Sequence, residues 1–142
     1  MTMMNPQATT QPDRNQWIQI GLVAAVLSIL AVLITQWLAI ALWPDIVLFK
    51  PLDSYLRTAI FTAVPAAVAT ALFAWLAAHK PQPVQKFLII STVVLLLSFI
   101  PDYLLPVPYK TMLASSVAAF MHVVAAVVIT TVLVIGYRQR IA

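Results

Sequence analysis

Cysteine is absent from the 142-residue chain, and its absence excludes disulfide scaffolds, thiol redox chemistry, thiolate metal sites and iron–sulfur clusters. Glutamate is absent as well, so Asp13, Asp45, Asp53 and Asp102 are the only acidic side chains. The two glycines, Gly21 and Gly136, are too few for a phosphate-cradling loop, and no His–Glu cluster exists for metalloprotease chemistry. Charge of either sign is scarce. Only 8% of residues are charged, against roughly a quarter in a soluble domain, so a water-facing exterior for a domain of this length cannot be assembled. The net charge of +4 comes from basic residues that stand singly at the ends of apolar runs. They read as topology signals, and no nucleic-acid partner is expected.

What is present is apolar: 63% of the chain, gathered into long stretches. Residues 1–16 are polar, lack a hydrophobic period and are expected to form a disordered tail, without the early basic residue and following apolar stretch of a signal peptide. The transmembrane domain is expected over 17–138. Span one covers Ile18 to Leu42, a charge-free run between Trp17 and Trp43 whose length at about 1.5 Å per residue exceeds the roughly 30 Å hydrocarbon core. A loop containing Trp43-Pro44-Asp45 and Lys50-Pro51 follows, its apolar patch Ile46 to Phe49 suited to the headgroup region. Spans two, three and four are expected at about 58–78, 87–105 and 111–137. Pro81-Gln82-Pro83 and Pro106-Val107-Pro108 turn the chain between them, and Pro101-Asp102 interrupts the end of span three.

Short connections imply antiparallel neighbours, hence an all-α integral membrane four-helix bundle with up-down-up-down order. Arg14, Lys80, Lys86, Arg138 and Arg140 fall on one side, and Lys50, Arg57 and Lys110 on the other. The basic excess places both termini in the cytoplasm, with the chain in a bacterial inner membrane. Trp17, Trp75 and Tyr137 form the expected inner aromatic belt, and Trp37, Trp43, Tyr55, Tyr103 and Tyr109 the outer one.

Helices in lipid associate through small residues, and Gly21, Ala24, Ser28, Ala31 and Thr35 recur at steps of three and four along span one. Comparable seams are expected in span two around Ala59, Ala63, Ala66, Thr70, Ala74 and Ala77, and in span four around Ser115, Ala118, His122, Ala125 and Ile129. Pro65 removes a backbone hydrogen bond inside span two, which predicts a bend, with Thr62 close enough to satisfy a freed group.

Arg57, Asp102 and His122 are the ionisable groups within membrane thickness, and with Ser98 they make the candidate polar site. Counting along the helices puts Asp102 near the outer headgroups, where the structural reading is an ion pair with Arg57 or an aspartate at a proline-broken helix end in contact with water. His122 falls nearer the midplane, about 18 Å in from Lys110. A neutral His122 there either hydrogen-bonds to Ser28, Thr70, Ser91 or Ser98, or serves as a proton shuttle, a donor to a quinone carbonyl or a haem ligand. One central histidine is insufficient for a bis-histidine cytochrome, and a serine hydrolase lacks its base–nucleophile pair. Catalysis, a resident cofactor and a metal are therefore not expected.

The chain resembles an uncharacterised family of short bacterial four-span membrane proteins on Thr62 and Pro65, Ser98-Phe99-Ile100-Pro101 and Met121-His122-Val123-Val124. The likeness runs from Thr58 to the C-terminus and leaves span one without a matching motif. It implies a four-helix membrane fold and supplies no reaction. The expected role is a non-enzymatic accessory or assembly subunit of a membrane complex, partnered by the bilayer and by another membrane protein or a second copy. The alternatives are a small carrier or proton-linked permeation unit using His122 and Asp102, or a quinone- or haem-binding protein.

Overall fold

The computed structural model describes residues 11–142. Four α-helices, α1 (Arg14–Leu42), α2 (Tyr55–His79), α3 (Pro83–Leu104) and α4 (Met112–Ile141), are each long and apolar enough to cross a membrane. No strand occurs among the described residues. Each helix starts earlier or ends later than hydropathy alone indicates. Asp13 accepts from the Gln16 backbone N–H while the Gln16 side chain accepts from the Asp13 N–H, so α1 begins at Arg14 and takes in the last part of the expected tail. Residues 1–10 of that tail lie outside the described residues. Ser54 and Thr111 cap α2 and α4 by accepting from the Arg57 and Ala114 backbone N–H groups. Pro83 opens α3 at a position where its missing N–H costs nothing, after Gln82 adopts the left-handed conformation that makes the turn so tight. The helix then continues through Pro101 to Leu104, so Asp102 is helical and is not at a break. Lys110 secures that end by donating to the carbonyls of Tyr103 and Leu105.

Consecutive helices pack side by side, and α4 returns to α1, giving the expected up-down-up-down ring. One end of the bundle carries the 44–54 and 105–111 connections (the loop end), and the other carries the 79–83 turn, the start of α1 and the C-terminus (the terminal end).

The inside is small and the outside large. Ala24, Ser28, Ala66, Ala114, Ser115 and Ala118 are buried, whereas Leu22, Leu30, Trp37, Phe61 and Leu96 are more than half exposed. That inversion suits lipid, where close packing and not apolar burial draws helices together. On α1 the buried line is Ile20, Ala24, Ser28, Val32, Gln36 and Ala39, four steps of four and one of three, because α1 sits between α2 and α4 and its i±4 ridge faces both. Gly21 lies against Thr70 of α2, and Gly136 of α4 lies against Ile20, so neither position has room for a Cβ. Ala31 and Thr35, expected on the same seam, are only partly buried.

At the loop end, two short 3₁₀ turns, Pro44–Leu48 and Lys50–Leu52, fold inward. Ile46, Phe49 and Leu52 join Val32, Ala114 and Met121 in a core, so the patch expected to lie in the headgroups is a cap on the bundle. At the terminal end each helix contributes one aromatic ring: Trp17, Phe73, Phe87 and Tyr137. Phe73 stacks on Phe87 at 4.4 Å and meets Tyr137 at 5.1 Å and Trp17 at 5.5 Å. Tyr137 and Trp17 therefore turn into the bundle and are not belt residues, while Trp75 remains half-exposed under Lys80.

Candidate functional site

Helices α2 and α3 touch each other less extensively than α2 touches α1 or α3 touches α4. Between them opens a cleft of about 890 Å³ floored by α4. Phe61, Pro65 and Leu72 form its α2 wall, Ile90, Val94 and Ser98 its α3 wall, and Met121, Ala125, Ala126 and Ile129 its floor. Phe87 closes the terminal end, and Lys50, Leu52, Arg57 and Val107 surround the loop end. The walls explain the gap. Small side chains on the floor leave volume, and the bulky Phe73–Phe87 stack holds the two helices apart where they do meet.

The polar features lie towards the loop end. His122 Nδ1 stands 3.1 Å from Asp102 Oδ2. The Asp102 side chain is 7% exposed and the His122 side chain 44% exposed, so the carboxylate sits behind an imidazole that fronts the cleft. No hydrogen bond is aligned on Oδ2 among the described residues, and the contact is ionic in distance but poorly directed for an N–H bond. Asp102 is fastened from its backbone: Ser115 Oγ donates to the Asp102 carbonyl at 2.6 Å.

Residue counting separates these two groups, and helix geometry reunites them. Side chains lean towards the N-terminus of their own helix. Because α3 and α4 run antiparallel, Asp102 leans deeper and His122 leans towards the loop end, so they converge. Pairing spares each the cost of a lone charge or unsatisfied imidazole in hydrocarbon.

Arg57 does not pair with Asp102. Its guanidinium bonds Asp53 one turn earlier and the Lys50 carbonyl, because both lie on the same short stretch of chain. Nor does His122 reach the hydroxyls proposed for it. Ser28, Thr70 and Ser98 donate to their own helices, at Ala25, Ala66 and Leu95. Thr62 likewise donates to Thr58, not to the group freed by Pro65, and α2 runs unbroken through that proline. The four candidate polar residues His122, Asp102, Arg57 and Ser98 nevertheless all line one cleft.

Two features escaped sequence reasoning. Gln36 is fully buried, its Nε2 donating to the Leu52 carbonyl at 3.1 Å while its Oε1 lacks a partner among the described residues. An amide inside a charge-free apolar run was the available signal. The four-ring closure at the terminal end was hidden because aromatic residues at span ends ordinarily read as interface anchors.

Chemically, the arrangement can hold a guest by apolar contact and meet its polar end with one imidazole–carboxylate pair. No group of three or more His, Cys, Asp or Glu side chains converges among the described residues. No curated protein and no solved structure matches the chain. A family model does match, over residues 8–139, and so includes the first span that carried no recognisable motif. The chain, a multi-pass membrane protein by its four spans, belongs to the family of unknown function DUF6069.

Proposed function

We propose that this protein is a non-enzymatic binder of a lipid-like amphiphile, taken from the bilayer into the α2–α3 cleft with the polar end at His122 and Asp102. The observation that carries the reading is an apolar cleft of about 890 Å³ with the His122–Asp102 imidazole–carboxylate pair at one end. Its volume falls in the roughly 300–1,000 Å³ range of small-molecule sites, and apolar walls with few convergent polar groups are their usual make-up. The basic excess at the terminal end supports a cytoplasmic position for both termini.

Native mass spectrometry of the protein released from membranes tests the reading. The wild type should carry a lipid-sized adduct that Ala126→Phe, which fills the cleft floor, removes. Bare protein in both cases would refute it. The accessory-subunit role is a second reading, supported by α3, where Phe87 and Asp102 are the only buried residues and Leu88, Ile89, Val93, Leu96, Leu97 and Ile100 are exposed to a neighbouring helix. The same spectra address it. A stoichiometric protein partner retained by Ala126→Phe supports that role, and a monomer without partner at every expression level counts against it.

A further inference from the structure

The polar end of the cleft holds a cation that no side chain answers. Its charged or titratable lining residues are Lys50, Arg57, Asp102 and His122. Arg57 is paired with Asp53 one turn earlier, and Asp102 is faced by His122. Lys50 has no side-chain counter-ion among the described residues. It is carried on the Lys50–Leu52 turn, which Leu52 anchors in the core, and this holds it at the mouth of the cleft.

His122 adds a proton acceptor at the same end. Its Nδ1 stands 3.1 Å from Asp102 Oδ2, so the tautomer protonated on Nδ1 turns that proton towards the carboxylate. Nε2, on the opposite edge of the ring, then keeps its lone pair. Asp102 itself is out of reach, because its side chain is 7% exposed and lies behind the imidazole. A head group therefore meets Nε2 and the Lys50 ammonium, and a carboxylic acid suits both. Its O–H bond breaks as an N–H bond forms at Nε2, and the electron pair stays on the new carboxylate. The two carboxylate oxygens then accept from Nε2–H and from Lys50. The summed charge is unchanged, and each charge that the transfer creates has an opposite partner beside it, as a low dielectric demands.

Other heads match less. A zwitterionic head brings a second cation, and the only carboxylate on the lining is covered. An alcohol leaves Lys50 unanswered, and a phosphate monoester carries close to two charges against one open cation. On α3 the lining runs from Asp102 to Phe87, fifteen residues or about 22 Å, so the cleft takes a long chain.

Resting on the binding reading above, we infer that the guest is a long-chain carboxylic acid that passes its proton to His122 Nε2 and is held as a carboxylate by Lys50.

The test titrates the full chain in nanodiscs with a straight-chain carboxylic acid of roughly 22 Å, its methyl ester and the alkyl monophosphate of the same length. The acid should bind about tenfold more tightly than the ester, the fold-change expected from one charge-assisted hydrogen bond. Lys50→Gln, at an exposed position, should remove that advantage and leave ester binding as in wild type. Carbon-13 in the bound carboxyl should report the ionised form. Nitrogen-15 at His122, resolved in a His79→Gln background, should show a second ring proton only when the acid is present. Equal binding of acid and ester, tighter binding of the phosphate than of the acid, an equal effect of Lys50→Gln on acid and ester, or a His122 protonation state that the acid does not change would each overturn the inference while leaving an amphiphile site in place. Failure of every probe to bind would overturn the binding reading itself.

Discussion

The seam around α1 and the cleft between α2 and α3 are built from the same kinds of residues to opposite ends. Along α1, small side chains are met by an opposing helix: a Cβ added at Gly21 would stand 2.7 Å from Thr70 Cγ2 and 3.2 Å from its Cβ. On the floor of the cleft, Ala125 and Ala126 border open volume. A small residue in a membrane helix is thus permission for close approach, and whether the approach occurs depends on what stands at the ends of the pair. For α2 and α3 the Phe73–Phe87 stack keeps the helices apart.

The largest effect expected from breaking this contrast lies on the seam. Gly21→Ala adds helix propensity worth up to about 1 kcal/mol, but it drives into Thr70, whose hydroxyl is tied to Ala66 and whose Cβ cannot move aside. The clash wins, and a loss of about 1–3 kcal/mol is expected in detergent denaturation, the cost of an overpacked core. Gly136→Ala should cost a similar amount, because the nearest atom it meets is Cγ2 of Ile20 at 2.7 Å, on a buried β-branched side chain that is stiff at χ1. Equal stability for Gly21→Ala and wild type would mean that the seam is looser than the cleft comparison requires.

Next in size is the His122–Asp102 pair. His122→Ala strands a buried carboxylate. Breaking a fully buried pair costs roughly 3–5 kcal/mol, and with His122 44% exposed about 2 kcal/mol is expected. The double variant His122→Ala with Asp102→Leu should recover most of it, since removing both partners leaves no orphan. An additive double variant, measured in the same denaturation series, would show that the two side chains are not coupled.

Gln36→Leu should be close to neutral, within about 1 kcal/mol. It forfeits the bond to the Leu52 carbonyl but relieves a buried amide oxygen that has no partner among the described residues. A loss well above that in the midpoint of unfolding would reveal a role for the amide beyond anchoring the Lys50–Leu52 turn. Smallest is Ser91→Phe, which faces open volume and should leave stability within about 0.5 kcal/mol while reducing guest binding.

Much of the architecture could be read before any coordinates. Four apolar runs longer than a bilayer core, separated by proline-rich turns, leave few alternatives to a four-helix membrane bundle. Scarcity of charge singled out His122 and Asp102 as the ionisable side chains worth following. Their pairing was not legible, because depth counted along an axis ignores the lean of side chains on antiparallel helices. Arg57 was assigned to the wrong aspartate for a related reason: Asp53, four residues away on the same stretch, is reached without crossing the bundle. Hydroxyls expected to bridge helices bond backward within their own, since a carbonyl one turn away is always within reach. The burial of Phe49 and Leu52 depends on the connection folding over the bundle end, which no local pattern encodes.

The central claim is that lipid chains enter the cleft and are excluded from the α1 seam. Photolysis of a membrane carrying a chain-terminal diazirine lipid, followed by peptide mapping, tests this most directly. Labelling should concentrate on α4 around Ala125 to Ile129 and fall when Ser91→Phe or Ala126→Phe fills the space. Labelling spread evenly over the outward faces of all four helices, unchanged by either substitution, would contradict the account.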